Sequence, residues 1–227
     1  MSSVVGSISV VIPTLNECTH IASCLSQFSH LEGVEVIVVD GGSTDGTLKV
    51  ALACGVKVLK TARGRGGQMN AGADSAKNEI LLFLHADTTL PEGFEQHVRR
   101  ALKEPGIIAG AFGLRIDAES SVLRLIERMV NLRAGFLQMP YGDQAIFLKN
   151  DTFRLLGGFP SIPIMEDFEL VRRLKRLGHI AIVPFPVVTS ARRWQSRGIF
   201  KATLINQFIV AGYCLGVSPK QLAKWYR

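Results

Sequence analysis

The chain has 227 residues, which suits one large domain or one domain with a tail, and its 47% apolar and 20% charged content excludes a disordered chain. The net charge of +7 suits anionic partners such as nucleotide phosphates or an acidic membrane surface, and equally a plain solubility charge. Four cysteines, Cys18, Cys24, Cys54 and Cys214, form no CxxC pair or zinc spacing, which excludes a zinc cage and reads as thiols of a reducing compartment.

In chain order, residues 1–17 show no basic stretch before the first apolar run and no small-residue cleavage site, so they read as a first strand and not as a secretion signal. The expected location is the cytoplasm, or the inner membrane face if the C-terminal helix lies on lipid. "ISVVIPT" (8–14), "VEVIVVD" (34–40) and "EILLFLHAD" (79–87) are near-continuous apolar runs, the pattern of strands buried on both faces of a parallel sheet. Thr14-Leu-Asn-Glu17 is a candidate capping box before Ile21, Cys24, Leu25 and Phe28 at helical spacing. A helix over 47–54, a "VKVL" strand and a helix over 66–78 follow. The later chain predicts a strand over 106–116, a helix over 121–134, a strand over 144–149, a short helix over 152–156, a helix over 165–177 and a strand "HIAIVP". The β-α-β-α-β alternation predicts an α/β domain with a central, mostly parallel sheet flanked by helices over residues 1–197, and a helical extension over 198–227. The apolar run Leu204 to Val217 is interrupted by Asn206 and Gln207 and falls short of the ~20 residues a membrane span needs.

Carboxylates stand out by position. Asp40 and Asp87 end predicted strands, and Glu166-Asp167 opens a helix. In open α/β sheets, ligands bind beyond the carboxyl ends of the strands, so Asp40 and Asp87 are expected to share one crevice. There an Asp can accept bonds from a base or ribose, hold a divalent cation, or cap its own turn. Gly41, Gly42 and Gly46, with "RGRGG" at 63–67, let backbone approach a ligand. Arg63 and Arg65 can face phosphate. Neither a dinucleotide-type GxGxxG nor a P-loop is present, which argues against a hydride-transfer enzyme or a P-loop NTPase.

Together, "VVIPTLNE" (10–17), "VVDGGSTDGT" (38–47), "FLHADTTLP" (83–91), "GGF" (157–159) and "MEDFEL" (165–170) resemble the family 2 glycosyltransferases with the GT-A nucleotide-sugar-binding fold. The wording of "LHADT" and "YGDQAIF" is most similar to the small bacterial radical-SAM-associated subgroup. The resemblance implies that Pro13, Thr14, Glu17, Asp40 and Arg65 line the nucleotide, while Ser43 and Asp45 shape the loop. It implies that Asp87 matches the last Asp of a D-x-D motif holding Mg²⁺ or Mn²⁺ on the donor diphosphate, and that Asp167 is the general base of an inverting transfer. The chain departs from the pattern at His85, where the family usually has Asp. A neutral imidazole can bind Mn²⁺ and suits Mg²⁺ poorly, or it can serve beside the metal.

The chemistry needs one carboxylate near the donor, through a cation that stabilises the diphosphate leaving group, and one facing the acceptor hydroxyl. On the acceptor side, Asp143 and Gln144 precede a strand and could bind hydroxyls or merely form its turn. Glu166 neighbours the base. In "SARRWQSRG" (190–198), Arg192 and Arg193 could clamp the diphosphate, with Trp194 on the acceptor. The expected partners are a UDP- or GDP-sugar and an acceptor, lipid-linked in one reading, with no nucleic acid. The C-terminal helix could pack on its own domain, lie on a membrane or join a homodimer. Two alternatives stay open: a nucleotidyltransferase on a similar fold, and a nucleotide- or sugar-binding protein with weak catalysis, which His85 favours.

Overall fold

The computed structural model describes residues 6–226; the side chains of Arg193 and Arg197 lie outside the described residues. The first half follows the predicted alternation: β1 (Ile8–Thr14), α1 (Ile21–Ser26), β2 (Val34–Asp40), α2 (Thr47–Ala53), β3 (Lys57–Lys60), α3 (Arg65–Ser75) and β4 (Ile80–Phe83). β5 (Thr88–Thr89), α4 (Phe94–Ala101), β6 (Ile107–Asp117), α5 (Ser121–Leu137) and a 3₁₀ turn (Gly142–Gln144) come next. The chain closes with β7 (Phe147–Lys149), α6 (Asn150–Leu155), α7 (Glu166–Leu174), β8 (His179–Ser190), α8 (Arg192–Arg197), α9 (Ile199–Cys214) and α10 (Pro219–Tyr226).

The strands form one sheet in the order β3-β2-β1-β4-β7-β6-β8-β5. β3, β2, β1 and β4 are parallel, as expected. The far half is mixed: β7 runs antiparallel to β4 and β6, β5 runs antiparallel to β8, and β6 pairs with β8 in parallel. Side chains alternate between two apolar layers. Val10, Ile12, Val38 and Leu82 pack under α1, α2 and α4. Val11, Ile37, Val39 and Leu81 pack under α3, α6 and α7. Each of these aliphatic side chains is fully buried, a gain of about 1.5–3 kcal/mol apiece over an exposed one.

Two boundaries differ from the sequence pattern for physical reasons. The strand expected to run to Asp87 stops at Phe83, because its ladder to β1 ends at Val11↔Phe83 and its ladder to β7 at Leu82↔Phe147. Leu84 N–H still reaches the Val11 carbonyl at 3.0 Å, after which the chain turns, with Thr88 N–H donating to the His85 carbonyl at 3.2 Å. Asp87 therefore sits on a turn between β4 and β5. Conversely, the strand expected to end at Pro184 continues to Ser190. Register with β6 shifts from Phe112↔Val183 to Gly113↔Pro186, so Pro184 and Phe185 are looped out as a bulge.

α9 and α10 pack on the chain's own body. Ile209 and Leu222 are buried with Met165 and Phe168 of the α7 region, and Tyr213 Oη donates to Glu169 Oε2 at 3.0 Å. No described helix is long and apolar enough to cross a membrane.

The sheet also needs close approach of α3. A Cβ at Gly72 would run into the Val11 side chain and lie 3.0 Å from Val39 Cγ2. Gly72→Ala is expected to cost about 1–3 kcal/mol, the usual range for overpacking a filled core. Urea unfolding checks this; an unchanged midpoint would show that α3 yields freely.

Candidate functional site

The carboxyl ends of β1 and β2 form the floor of a crevice. Thr14 and Asp40 are register partners at these ends, and both are buried. The Asp40 carboxylate serves its own loop: Oδ2 accepts from Gly42 N–H and Ser43 N–H, each at 3.0 Å, and Oδ1 accepts from Ser43 Oγ and, at 3.4 Å, from Thr14 Oγ1. A carboxylate offers about four lone-pair directions, so a ligand contact there would displace one of these donors. Ser43 and Asp45 lace this loop to the first: Asn16 N–H donates to Ser43 Oγ at 2.9 Å, and Cys18 N–H to Asp45 Oδ2 at 3.2 Å. Bonds from Thr47 hold the Asp45 carboxyl below its ordinary range.

Sequence reasoning missed Gln68. Its Nε2 donates to the Thr14 carbonyl at 2.9 Å and the Val39 carbonyl at 2.8 Å, clamping the two strand ends from α3. A Cβ on Gly41 would touch the Gln68 amide at 2.9 Å, so the glycine and the clamp fit one another. The available signal was a buried-side glutamine following "RGRGG" at the start of a predicted helix.

Asp87 is fixed from three sides. Ser190 N–H of β8 donates to its carbonyl at 3.2 Å, the β5–β8 pairing anchors the next two residues, and Cys24 Sγ donates to the carbonyls of His85 and Thr88 at 3.8 and 3.7 Å. Burial, with Asp87 adding, pushes the Cys24 thiol up to about 12, so it remains a neutral packing group. Asp87 Oδ2 faces Arg192 Nη2 at 3.3 Å, and the same Nη2 meets both Glu17 oxygens at 2.9 and 3.0 Å. The bonds from Glu17 raise the guanidinium of Arg192 above its ordinary value, against partial burial. Asp87 and Glu17 thus already accommodate one positive charge between them. Among the described residues, no three His, Cys, Asp or Glu side chains converge as a cage. The donor set fits a cation that takes one protein carboxylate and draws its other ligands from phosphate oxygens and water.

The second carboxylate comes from the opposite wall. Asp167 lies in the first turn of α7, after Met165 in the left-handed region at φ 71°. Its Oδ2 accepts from Gly142 N–H at 2.6 Å. A Cβ on Gly142 would lie 3.0 Å from this oxygen and 3.4 Å from His85 Nε2, so the imidazole and the Asp167 carboxylate flank one point. His85 is therefore brought to the Asp167 side of the crevice. Arg65, at the start of α3, reaches Glu166 Oε1 at 3.7 Å with its own side chain half exposed, and joins the nucleotide wall to this helix. Pro13 is half-buried beside Thr14 on β1.

Two sequence-predicted acceptor contacts point elsewhere. Gln144 is fully buried, its Nε2 donating to the Phe112 carbonyl at 3.0 Å and its Oε1 accepting Tyr141 N–H at 3.2 Å; it holds the turn before β7. Trp194 is 9% exposed and packs among Ile116, Leu123 and Ala202, because the chain after β8 folds back under α5. The turn also carries Asp143, one residue after Gly142. The Arg193 side chain falls outside the described residues.

Residues 9–159 match the model of glycosyl transferase family 2. Over 93 residues the chain is 38% identical to a PGL/p-HBAD biosynthesis glycosyltransferase of Mycobacterium bovis, covering 37% of this chain and 36% of that protein. It is 33% identical over 98 residues to glycosyltransferase AglE of Haloferax volcanii, covering 38% and 32%. The matches thus span about a third of the length of these curated relatives. Mannosyltransferase PcManGT of Pyrobaculum calidifontis, solved with GDP-Man and Mn²⁺, superposes with TM-score 0.66 at 20% identity, over 96% of this chain and 68% of that one. Glucosyl-3-phosphoglycerate synthase of Mycobacterium tuberculosis, solved with Mn²⁺, UDP-Glc and glycerol 3-phosphate, gives 0.58 at 26% identity, over 78% and 69%. A sheet of this order with helices on both faces is the GT-A fold, and with the family match covering most of its length the chain belongs to glycosyl transferase family 2.

Proposed function

We propose that the chain moves a sugar from a UDP- or GDP-sugar to an acceptor hydroxyl with inversion, binding the diphosphate through Asp87 and a Mn²⁺ or Mg²⁺ ion and activating the acceptor with Asp167. One observation carries this reading. Two carboxylates from separate walls reach the crevice at the carboxyl end of the sheet, Asp87 against a cation and Asp167 against a backbone amide. Solved neighbours that bind Mn²⁺ with GDP-Man or UDP-Glc support the donor class. The "LHADT" and "YGDQAIF" wording supports a place near the radical-SAM-associated subgroup.

The residues divide the work. Thr14, Asp40 and the glycine loop after it form the nucleotide floor, with Pro13 and Arg65 along its edge. The divalent ion supplies Lewis-acid stabilisation of the departing diphosphate. Arg192 adds a second cation and trades Glu17 and Asp87 for phosphate oxygens as the donor enters. Asp167 Oδ2 takes the acceptor proton as the hydroxyl attacks the anomeric carbon from the face opposite the diphosphate. His85 borders that attack, where it can orient the hydroxyl.

Asp167→Asn is expected to lower kcat by about 10²–10⁴-fold, the span of a lost general base, with nucleotide affinity unchanged. Single-turnover assays beside calorimetry check this, and normal transfer by the variant would reassign the base. Arg192→Ala frees Asp87 and removes a phosphate partner. It should bind Mn²⁺ alone more tightly and UDP or GDP with Mn²⁺ about tenfold more weakly, both read by calorimetry. Unchanged affinities would confine Arg192 to a structural role.

Glu166 gives a pH signature. Burial raises its carboxyl above the ordinary range, Arg65 opposes this and Asp167 adds to it. A raised folded value means stability present below the unfolded pKa of about 4.3 and lost as pH climbs through the folded value. Glu166→Gln stays neutral, so its Tm should gain on the wild type as pH rises from about 4 to 7. Scanning calorimetry across that range tests it; a constant difference would show ordinary ionisation at Glu166.

A further inference from the structure

The net charge of the chain is unevenly placed. Residues 191–227 hold seven Lys and Arg and no Asp or Glu, which leaves 19 residues of each sign in the first 190. The whole excess of +7 therefore belongs to the segment that forms α8, α9 and α10.

The same segment leaves apolar surface in solvent. α9 buries Ala202, Ile209 and Gly212 against the body. Its opposite face carries Phe200, Leu204 and Phe208, one per turn, exposed by 75%, 68% and 60%. A surface helix normally turns polar residues outward, and although Lys201 and Gln207 are also exposed on α9, a repeating apolar stripe left in solvent calls for a second partner. α10 extends this face: the Trp225 ring lies 5.4 Å from that of Phe208 and is 44% exposed. Lys201, Lys220 and Lys224 are exposed on the same two helices.

We propose that the α9–α10 hairpin is a docking face for an anionic phospholipid surface. Phe200, Leu204 and Phe208 seat at the boundary of headgroups and acyl chains, Trp225 lies at headgroup level, and the lysines meet lipid phosphates. Charge decides against a second copy as occupant. A two-fold interface would set this all-positive surface against itself, with nothing negative in the segment to compensate. The apolar stripe decides against nucleic acid, whose backbone has no use for three exposed aromatic and aliphatic side chains in a row.

The face is coupled to the crevice. Tyr213 of α9 holds Glu169 of α7, and Met165 and Phe168 pack with Ile209 and Leu222. Docking would hold the start of α7, with Asp167, one helix layer behind the lipid boundary. A lipid-borne acceptor hydroxyl is the substrate class this arrangement favours; that corollary rests on the transfer reading above, whereas the docking itself does not.

The test is flotation of the full chain with vesicles of phosphatidylcholine alone and with a third of the lipid replaced by phosphatidylglycerol, at low and high salt. Binding to the anionic vesicles, weakened by salt and accompanied by a blue shift of tryptophan emission, is expected. Leu204→Glu with Phe208→Glu should reduce partitioning more than tenfold, while Leu155→Glu, on the exposed α6 surface, should not. Lys220→Glu and Lys224→Glu provide a second route that leaves the packing untouched, each expected to weaken anionic binding about fivefold or more. Circular dichroism and UDP or GDP binding confirm folding and keep failure of docking separate from failure of the transfer reading. No binding to either vesicle, or binding indifferent to all these changes, overturns the proposal. So does a dimer in light scattering that Leu204→Glu dissolves, which would give the face to self-association, or salt-sensitive binding of single-stranded DNA in place of vesicles.

Discussion

The site depends on a two-residue ladder. Thr88 and Thr89 pair with Val188 and Thr189, and everything around the donor carboxylate is placed by that contact. It closes the loop left when β4 runs out of partners at Phe83, and it brings Ser190 within reach of the Asp87 carbonyl. It also delivers Arg192, two residues beyond the end of β8, to the carboxylates of Glu17 and Asp87. Short antiparallel pairs are weak alone. This one is supported by the long β6–β8 ladder beside it and by Gln27, whose amide bonds the carbonyl of Thr88 and the N–H of Leu90.

The centre of the parallel half was legible because β1, β4 and the second half of β2 are buried on both faces, so their apolar runs are unbroken and their ends are marked by Thr14, Asp40 and glycines. The antiparallel half was less so. The strand expected over 144–149 keeps only its last three residues as β7, and β5 has two, too few for any period to show. β8 contains Pro184 and Pro186, which in a sequence signal a stop; the chain passes Pro184 by a bulge, and Pro186 re-enters the register opposite Gly113. Residues with polar side chains misled in both directions. Gln144 and Trp194 looked available and are inside, while Gln68 went unremarked and spans two strand ends. Which way such a side chain points is set by tertiary contacts many residues away, such as Phe112 for Gln144, and no local pattern records them.

The two halves of the crevice differ in how firmly they are built. The loops after β1 and β2 are a dense web of backbone and side-chain bonds from Asn16, Asp40, Ser43 and Asp45. Such preformed loops cost little ordering free energy on binding. The Asp87 end is held by an ion pair whose arginine is nearly half exposed, a contact that salt and competing charge can loosen.

Gly142 has a consequence for how this site can vary over time. The partner of Asp167 Oδ2 is a main-chain amide, which every residue except proline carries. The bond itself is therefore almost immune to substitution, and what selection can act on is the volume beside it, since any side chain would enter the gap between the carboxylate and His85. Replacement at this position would keep the main-chain donor and narrow the space between the carboxylate and the imidazole.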